Sequence, residues 1–404
     1  MKRGQLRDHF VGAGVKRLSG VDAEPEKSNQ HEVNTTREMR DRFLGEIHEQ
    51  KYPVRYIWLG GDREGFSVEG TATHYDARKN IDGRSEWRLY YPSNAVTEAM
   101  RGGDTLFLAK HNDGQLYFIV APEGSTSEHQ LLWLFGVAPK GKSFVSREFP
   151  EDGPELDFAA RYILDEIGIE TEDPDADGLG EIIDPLPLAF PSTANFSRLA
   201  RDTLPDVRAE DDPDVALLMW LIREEALFRR LEKRIVSKRL EEGFDNEEGV
   251  DVDGFIDYSL SVHNRRKSRM GHSLENHLEA VFRAFGIAYD RGKITENNHR
   301  PDFLFPSVTA YHAAPATGAT NLAMLGAKSS CKERWRQVLA EADKIPRKHL
   351  LTLEPGISEP QTDQMEASNL QLVVPRDILG SYTEVQRVWL WNLRDFIGHL
   401  KRGR

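Results

Sequence analysis

Three side chains suited to one reaction stand close together in the C-terminal part of the sequence. Asp302 opens an apolar triplet, Phe303-Leu304-Phe305, and Lys328 closes a second apolar stretch, Leu322 to Ala327, after 25 intervening residues. Glu341 follows 12 intervening residues later, beside an apolar stripe of Trp335, Val338, Leu339 and Ala342. If the two stretches are paired strands, Asp302 and Lys328 project at one end of a sheet, and a helix beginning near Lys332 tilts Glu341 back over the strand ends. Two carboxylates and an ammonium are a toolkit for phosphodiester hydrolysis. Mg2+ takes hard oxygen ligands, usually one or two carboxylates plus water and phosphate. It neutralises phosphate charge and lowers the pKa of a bound water, while a lysine orients that water and stabilises the developing negative charge. Each residue also has an ordinary reading: a Pro-Asp turn, a solvated charge at a strand end, and a glutamate paired with Lys344, a contact of roughly 0.2–0.5 kcal/mol.

The surrounding pattern supplies elements that could hold such a site. Residues 1 to about 140 are rich in short apolar runs and turns, and Thr105 to Val120 reads as a hairpin around Asn112-Asp113-Gly114. Many short strands with few helices suggest a β-barrel-like domain. Glu170 to Gly180 reads as an acidic, turn-rich linker. Pro213 to Leu240 has helical spacing, with Asp214 near its first turn, and Ser273 stands where it could cap a helix carrying Leu274, Leu278, Val281, Phe282 and Phe285. Beyond Lys328 come a strand from His349 to Leu353, a polar helix, a strand from Leu370 to Pro375, and an amphipathic helix from Glu384 to Leu400. The C-terminal half therefore reads as α/β, with a mixed sheet flanked by helices.

A length of 404 residues suggests two or three domains. The net charge of −13 at first argues against nucleic acid, but Pro150 to Asp184 alone holds thirteen acids and one arginine, a local net of −12. Elsewhere the balance is near neutral, with basic patches such as Asn264 to Arg269, "NRRKSR". The longest apolar run, Val215 to Ile222, is eight residues, too short to span a membrane, and the first twenty residues lack the apolar core of a signal peptide. The single cysteine, Cys331, precludes an internal disulfide, so a cytoplasmic location is expected. Cys331 has no His or Asp partner by spacing, and His263, His272, His277, His299 and His312 have no metal-ligand spacing; all read as structural or surface groups.

Longer blocks sharpen this. "SVHNRRKSRMGHSLENHLEAVF", "RPDFLFPSVTAYH" and "KSSCKERWRQVLAEADKI" resemble the C-terminal catalytic domain of the EcoRII family of type II restriction endonucleases, densely over Ser261 to Leu353 and more thinly from "LAFPS" at Leu188 to the end. The resemblance implies an α/β restriction-endonuclease-like, PD-(D/E)xK fold in the variant whose second acid has moved to the helix. It makes Asp302 the central ligand of Mg2+, Lys328 the catalytic lysine, and Glu341 the acid missing at Gly326, two before the lysine. Glu275 matches a further active-site acid. Lys332, Glu333 and Arg334 match the triplet with which relatives read CC and GG steps, a role their chemistry suits, since Arg and Lys bond guanine O6 and N7 and Glu accepts from cytosine N4. A CCWGG-like site (W is A or T) follows, and its palindrome implies a homodimer formed through the C-terminal domain. Arg265, Arg266, Lys267 and Arg269 of "NRRKSR" are expected to track the DNA backbone or line the groove.

In the N-terminal half, "GVKRLSGVD" and "ATHYDARKNIDGRSEWRLY" are similar to the family's effector domain, a B3-like β pseudobarrel. Matching positions make Lys16, Arg17, Arg78, Arg84, Glu86 and Arg88 DNA-binding residues. The expected organisation is a multidomain chain: effector domain over 1–170, acidic linker over 171–182 and endonuclease domain over 183–404. Its expected partners are double-stranded DNA, a second copy of the chain and, on the same DNA site, a cognate methyltransferase. No membrane is expected. Two rivals remain: a nuclease of the same fold acting on modified or damaged DNA, and a DNA-binding regulator with an inactive nuclease domain.

Overall fold

The structure is a computed structural model, and it describes residues 4–24, 31–47, 49–61, 64–79, 85–171, 176–246, 249–315, 321–331 and 334–403. The chain divides into two compact units: Met1–Glu172 with Pro355–Pro360, and Asp173–Glu354 with Gln361–Arg404.

The first unit is built on eight strands: β1 (Phe10–Arg17), β2 (Glu32–Asn34), β3 (Glu49–Trp58), β4 (Phe66–Asp76), β5 (Trp87–Tyr90), β6 (Thr105–His111), β7 (Leu116–Ala121) and β8 (Val145–Glu148). They form one sheet in the order β2-β5-β4-β3-β7-β6-β1-β8, antiparallel throughout except for the parallel pair β3–β7. Two short helices, α1 (Gly20–Ala23) and α2 (Arg37–Met39), and two longer ones, α3 (Thr126–Phe135) and α4 (Phe158–Glu166), accompany it. The unbroken apolar runs of β6 and β7 have a physical cause. Successive side chains point to opposite faces, and both faces are buried: Leu106, Leu108 and Phe118 pack with Val54 and Tyr56, whereas Phe107, Ala109 and Ile119 pack with Phe10, Phe135 of α3 and Leu164 of α4. The hairpin between β6 and β7 turns at Asn112-Asp113-Gly114, where Gly114 takes φ 94°, a conformation that glycine adopts without penalty.

The second unit begins with helices. α5 (Ala176–Ile183) occupies part of the stretch expected as a linker, and it is ordered there because Leu179 and Ile183 are buried against Leu227, Phe228 and Leu231. α6 (Thr193–Asp202) follows, then α7 (Pro213–Glu242) and α8 (Val252–Ala284), the last two joined across the small hairpin of β9 (Asp245–Asn246) and β10 (Gly249–Val250). Asp212 caps α7 ahead of Pro213. Ser273 does not start a helix: α8 begins after Asp251, whose carboxylate accepts from Gly254 N at 2.9 Å, and Ser273 is buried in its middle. Asp214 lies in the first turn of α7, but its buried carboxylate accepts from the backbone N–H groups of Arg376, Leu393 and Arg394.

A five-stranded mixed sheet follows, ordered β11-β12-β13-β14-β15: β11 (Asp290–Arg291), β12 (Phe303–Phe305), β13 (Ala323–Lys328), β14 (Lys348–Thr352) and β15 (Leu370–Val373). The first three are antiparallel and the last three parallel. Its helices are α9 (Val308–Ala313), α10 (Trp335–Leu339), α11 (Glu359–Ala367), α12 (Glu384–Arg387) and α13 (Leu393–Arg402). The single helix expected over Glu384–Leu400 is two, because Asn392 and Asp395 form a capping box that starts α13 afresh. On one face of the sheet Phe303 and Phe305 meet Phe282 of α8 edge-on, with ring centroids 5.2 and 5.1 Å apart, and Phe305 also meets Phe396 of α13. Among the described residues, no helix is long and apolar enough to cross a membrane.

Candidate active site

Strand register brings the first two residues of the motif together. Phe303 pairs with Leu325 and Leu304 with Met324. Continuing that register by one residue sets Asp302 opposite Gly326. With a period of two, Asp302, Leu304, Met324, Gly326 and Lys328 then share one face, opposite the face that carries Phe303 and Phe305. Accordingly Asp302 Oδ2 accepts from Lys328 Nζ at 2.9 Å and from the backbone N–H of Ala327 at 2.7 Å.

The same face explains where the third residue comes from. A Cβ on Gly326 would lie 3.0 and 3.3 Å from the two methyl groups of Val338 on α10, so a side chain there would have to push Val338 aside. α10 therefore packs close over the strand, and the chain leaving it carries Glu341 to the cluster. Glu341 is not on the helix, as the spacing suggested; α10 ends at Leu339, and Glu341 sits in the turn beyond, followed by Ala342 at φ 52°. Lys348 Nζ donates to Ala342 O at 2.6 Å and holds this sharp turn.

Glu341 is 9% exposed, and its Oε2 is buried without a hydrogen-bond partner among the described residues. Burial pushes its carboxyl up to about 7, and the neighbouring Asp302 carboxylate adds to the shift, while Lys328 and Lys348 partly offset it. Two carboxylates held together, one with an orphaned buried oxygen, fit a divalent cation that takes hard oxygen ligands and keeps some of its waters. Among the described residues, no cluster of three His, Cys, Asp or Glu forms a complete protein cage for a metal.

Glu275, on α8, is engaged elsewhere: its Oε2 accepts from Arg291 Nε at 3.0 Å and Nη2 at 2.7 Å. Arg291 and Lys348 went unremarked in the sequence. Nothing in the local pattern marks them, because their roles depend on strand pairing and on a turn. Cys331 is fully buried, with burial pushing its thiol up, and its N–H donates to the Glu354 carboxylate. Arg334 is exposed and donates to Ser330 Oγ at 2.9 Å. Lys332 and Glu333 lie outside the described residues, as does Arg84, and the side chain of Lys267 is likewise not described.

The basic run "NRRKSR" is part of α8 and not a surface loop. Arg269 is 6% exposed, lies over the Phe228 ring at 4.1 Å and is paired with Glu224 and Glu225 of α7, so it is an interior charge and not a phosphate contact. Arg266 pairs with Glu232, and Arg265 lies over the Phe190 ring. Glu224 is fully buried and also meets His277 Nε2 at 2.8 Å. Glu224→Ala would leave the buried Arg269 with Glu225 alone and take the carboxylate away from buried His277; urea denaturation is expected to show a loss of about 3 kcal/mol, and a loss below about 1 kcal/mol would contradict this interior role.

In the first unit, Arg78, Glu86, Arg88 and Glu32 form a chain of ion pairs that links the end of the β4–β5 ribbon to β2, with contacts of 2.6 to 2.8 Å. In the expected DNA arm, Lys16 is buried and Arg17 is partly exposed. Lys16 is 6% exposed and paired with Asp22 at 2.5 Å, and Arg17 is bound to Glu128 at 2.6 Å and to Gly103 O at 3.0 Å. Their charges are satisfied within the unit.

Comparison with known proteins bears on the same region. A sequence family described as EcoRII C terminal matches residues 228–397. Type II restriction enzyme EcoRII of Escherichia coli is 42% identical over 214 residues, 53% of this chain and 51% of that enzyme, so the chain spans about half the length of the curated relative it matches. Among solved structures, metal-depleted Ecl18kI with uncleaved, modified DNA is similar at a TM-score of 0.44 and 18% identity, covering 56% of this chain and 83% of that one. The PspGI–substrate DNA complex is similar at 0.43 and 16%, covering 53% and 93%. The B3 domain of UbaLAI with cognate DNA is similar at 0.23 and 18%, covering 34% and 86%. The C-terminal region of the chain is thus similar to the C-terminal part of EcoRII, a type II restriction enzyme.

Proposed function

We propose that this protein is a type II restriction endonuclease that cuts both strands of DNA at a CCWGG-like site with Mg2+. The observation that carries the reading is the cluster itself: Asp302 bonded to Lys328 at 2.9 Å, with the buried Glu341 carboxyl beside them. In this reading the second unit is a PD-(D/E)xK nuclease domain and the first a B3-like effector domain. Asp302 and Glu341 would hold Mg2+, which supplies charge neutralisation of the phosphate and acidification of a water. Lys328 orients the attacking water and stabilises negative charge as it develops on the phosphate. Asp302, by accepting from both Ala327 N and Lys328 Nζ, fixes the ammonium at the strand end.

Arg334, with Lys332 and Glu333, would read the G·C pairs. Arg265, Arg266 and Lys267 would lie along the backbone, and Arg78, Arg84, Glu86 and Arg88 would meet DNA from the first unit. One cluster per chain and a palindromic site call for a homodimer, one active site per strand, and a cell holding this nuclease would protect its own DNA with a methyltransferase for the same site. Its proposed location is the cytoplasm.

Incubating the protein and Mg2+ with unmethylated plasmid and sequencing the ends tests the whole reading. Discrete ends at one short palindrome are expected, and intact plasmid would overturn it. In the same assay Arg334→Ala should relax discrimination at a G·C pair by about 1–3 kcal/mol. Equal weakening on specific and random DNA would remove Arg334 from the recognition role.

A further inference from the structure

The strand next to Asp302 is only two residues long, which is too short to hold its own place. Both of its side chains are anchored. Asp290 Oδ2 accepts from Val308 N at 2.8 Å, at the start of α9. Arg291 spreads its guanidinium over one face of α8: Nε and Nη2 donate to Glu275 Oε2 at 3.0 and 2.7 Å, and Nη1 to Asn276 Oδ1 at 2.8 Å, with Glu279 Oε2 at 3.4 Å. Asn276 is itself buried and donates to Ser197 Oγ of α6 at 3.1 Å. Arg291 pairs with Phe303, and the next residue, Gly292, donates its N–H to the carbonyl of Asp302 at 3.1 Å. The main chain of Asp302 is thus bonded on one side to a strand that a single arginine fastens to the long helix.

We infer that Arg291 is a positioning residue of the proposed nuclease, and that Glu275 acts through it, setting the place of Asp302 and not ligating metal. The inference rests on the reading of Asp302 as the central acid. A carboxylate oxygen that already accepts two guanidinium N–H groups is held with the planar, directional fit that arginine gives. The α8 acids therefore reach the reaction through the backbone of β11 and β12. The consequence is specific: Glu275 acts only through Arg291, so losing either impairs the reaction in the same way, Glu275 to the lesser degree.

The test compares Arg291→Gln, Glu275→Gln and the double variant in the full-length chain. In metal-free protein, the Gly292 amide should exchange with solvent at least about tenfold faster in both single variants, because the local opening that frees it becomes easier. In single-turnover cleavage at saturating Mg2+, Arg291→Gln should slow the reaction on the order of 100-fold, as expected of a reacting group displaced by about an ångström, and Glu275→Gln should slow it less. The double variant should be no slower than Arg291→Gln, and the Mg2+ concentration for half-maximal rate should move alike in both single variants. Glu275→Gln is the milder change and keeps the test usable if Arg291→Gln folds poorly. A raised Mg2+ requirement in Glu275→Gln alone, with additive losses, would make Glu275 a metal ligand and overturn the inference. So would unchanged exchange at Gly292, or an Arg291→Gln enzyme as fast as wild type. A wild-type protein that cuts no duplex overturns the nuclease reading first, and with it the role given to Arg291.

Discussion

Asp302→Asn is expected to reduce DNA cleavage in Mg2+ by at least about three orders of magnitude, the share of the barrier that loss of metal-assisted charge stabilisation represents. Asparagine keeps an oxygen that can accept from Ala327 N, so the end of β13 stays where it is. It removes the negative charge that the neighbouring lysine and a cation would both face. Folding should be little affected, because Asp302 is at the mouth of the strand pair and not in the Phe303–Phe305 core. Affinity for site-bearing duplex in the absence of metal should be retained or improved, since an acid close to phosphate is gone. Single-turnover rates and duplex binding in EDTA check both halves. A variant within about tenfold of the wild-type rate would remove Asp302 from the reaction.

The second large effect is one of pH. Glu341 has its folded-state carboxyl raised from 4.5 to about 7. A raised carboxyl favours folding while it is protonated. That contribution is fully present below the unfolded value and is lost as pH rises through the folded one. Above about 7 the metal-free protein therefore carries a strained, ionised Glu341, at a cost on the order of 3 kcal/mol. Glu341→Gln should be no more stable than wild type at about pH 5 and more stable by a few kcal/mol at about pH 8 when metal is chelated. Added Mg2+ should reverse the order at the higher pH, because the ionised pair is then matched by a cation. Thermal unfolding with EDTA or Mg2+ at both pH values decides this. Equal stabilisation of both proteins by Mg2+ would remove Glu341 from the cation site.

Parts of this site were legible in the sequence for definite reasons. Asp302 and Lys328 bound apolar stretches that form adjacent strands, and residues that mark strand ends keep their meaning when the strands pair. The α/β alternation after Lys328 was legible because β14 and β15 are short apolar strands separated by a polar helix. Glu341 was found, but its setting was not, since the left-handed Ala342 that turns the chain after α10 has no signature in an alanine. Ser273 misled because an apolar stripe begins beside it. The helix runs 21 residues further toward the N-terminus, to Val252, where the stripe is replaced by ion pairs to α7 that local spacing does not reveal. For the same reason the buried member of "NRRKSR", Arg269, could not be told from its exposed neighbours. The acids that take Arg269 inward are more than thirty residues away in the chain. Lys16 shows the shorter-range version: its partner Asp22 is six residues on, yet only the fold of α1 against β1 buries the pair.

The contact between Gly326 and Val338 also sets limits on descent. In the nuclease reading proposed above, the plain form of the signature would have an acid at position 326, and one nucleotide change in a glycine codon can introduce aspartate. In this chain that change would drive a carboxylate into the methyls of Val338, 3.0 Å from the first new atom, and would crowd a third negative charge against Asp302 and Glu341. A return to the plain arrangement is therefore easier with a smaller residue at 338 and a neutral one at 341. On the proposed assignment of Glu341, ordinary drift among descendants should preserve Gly326, Val338 and Glu341 as one inherited set.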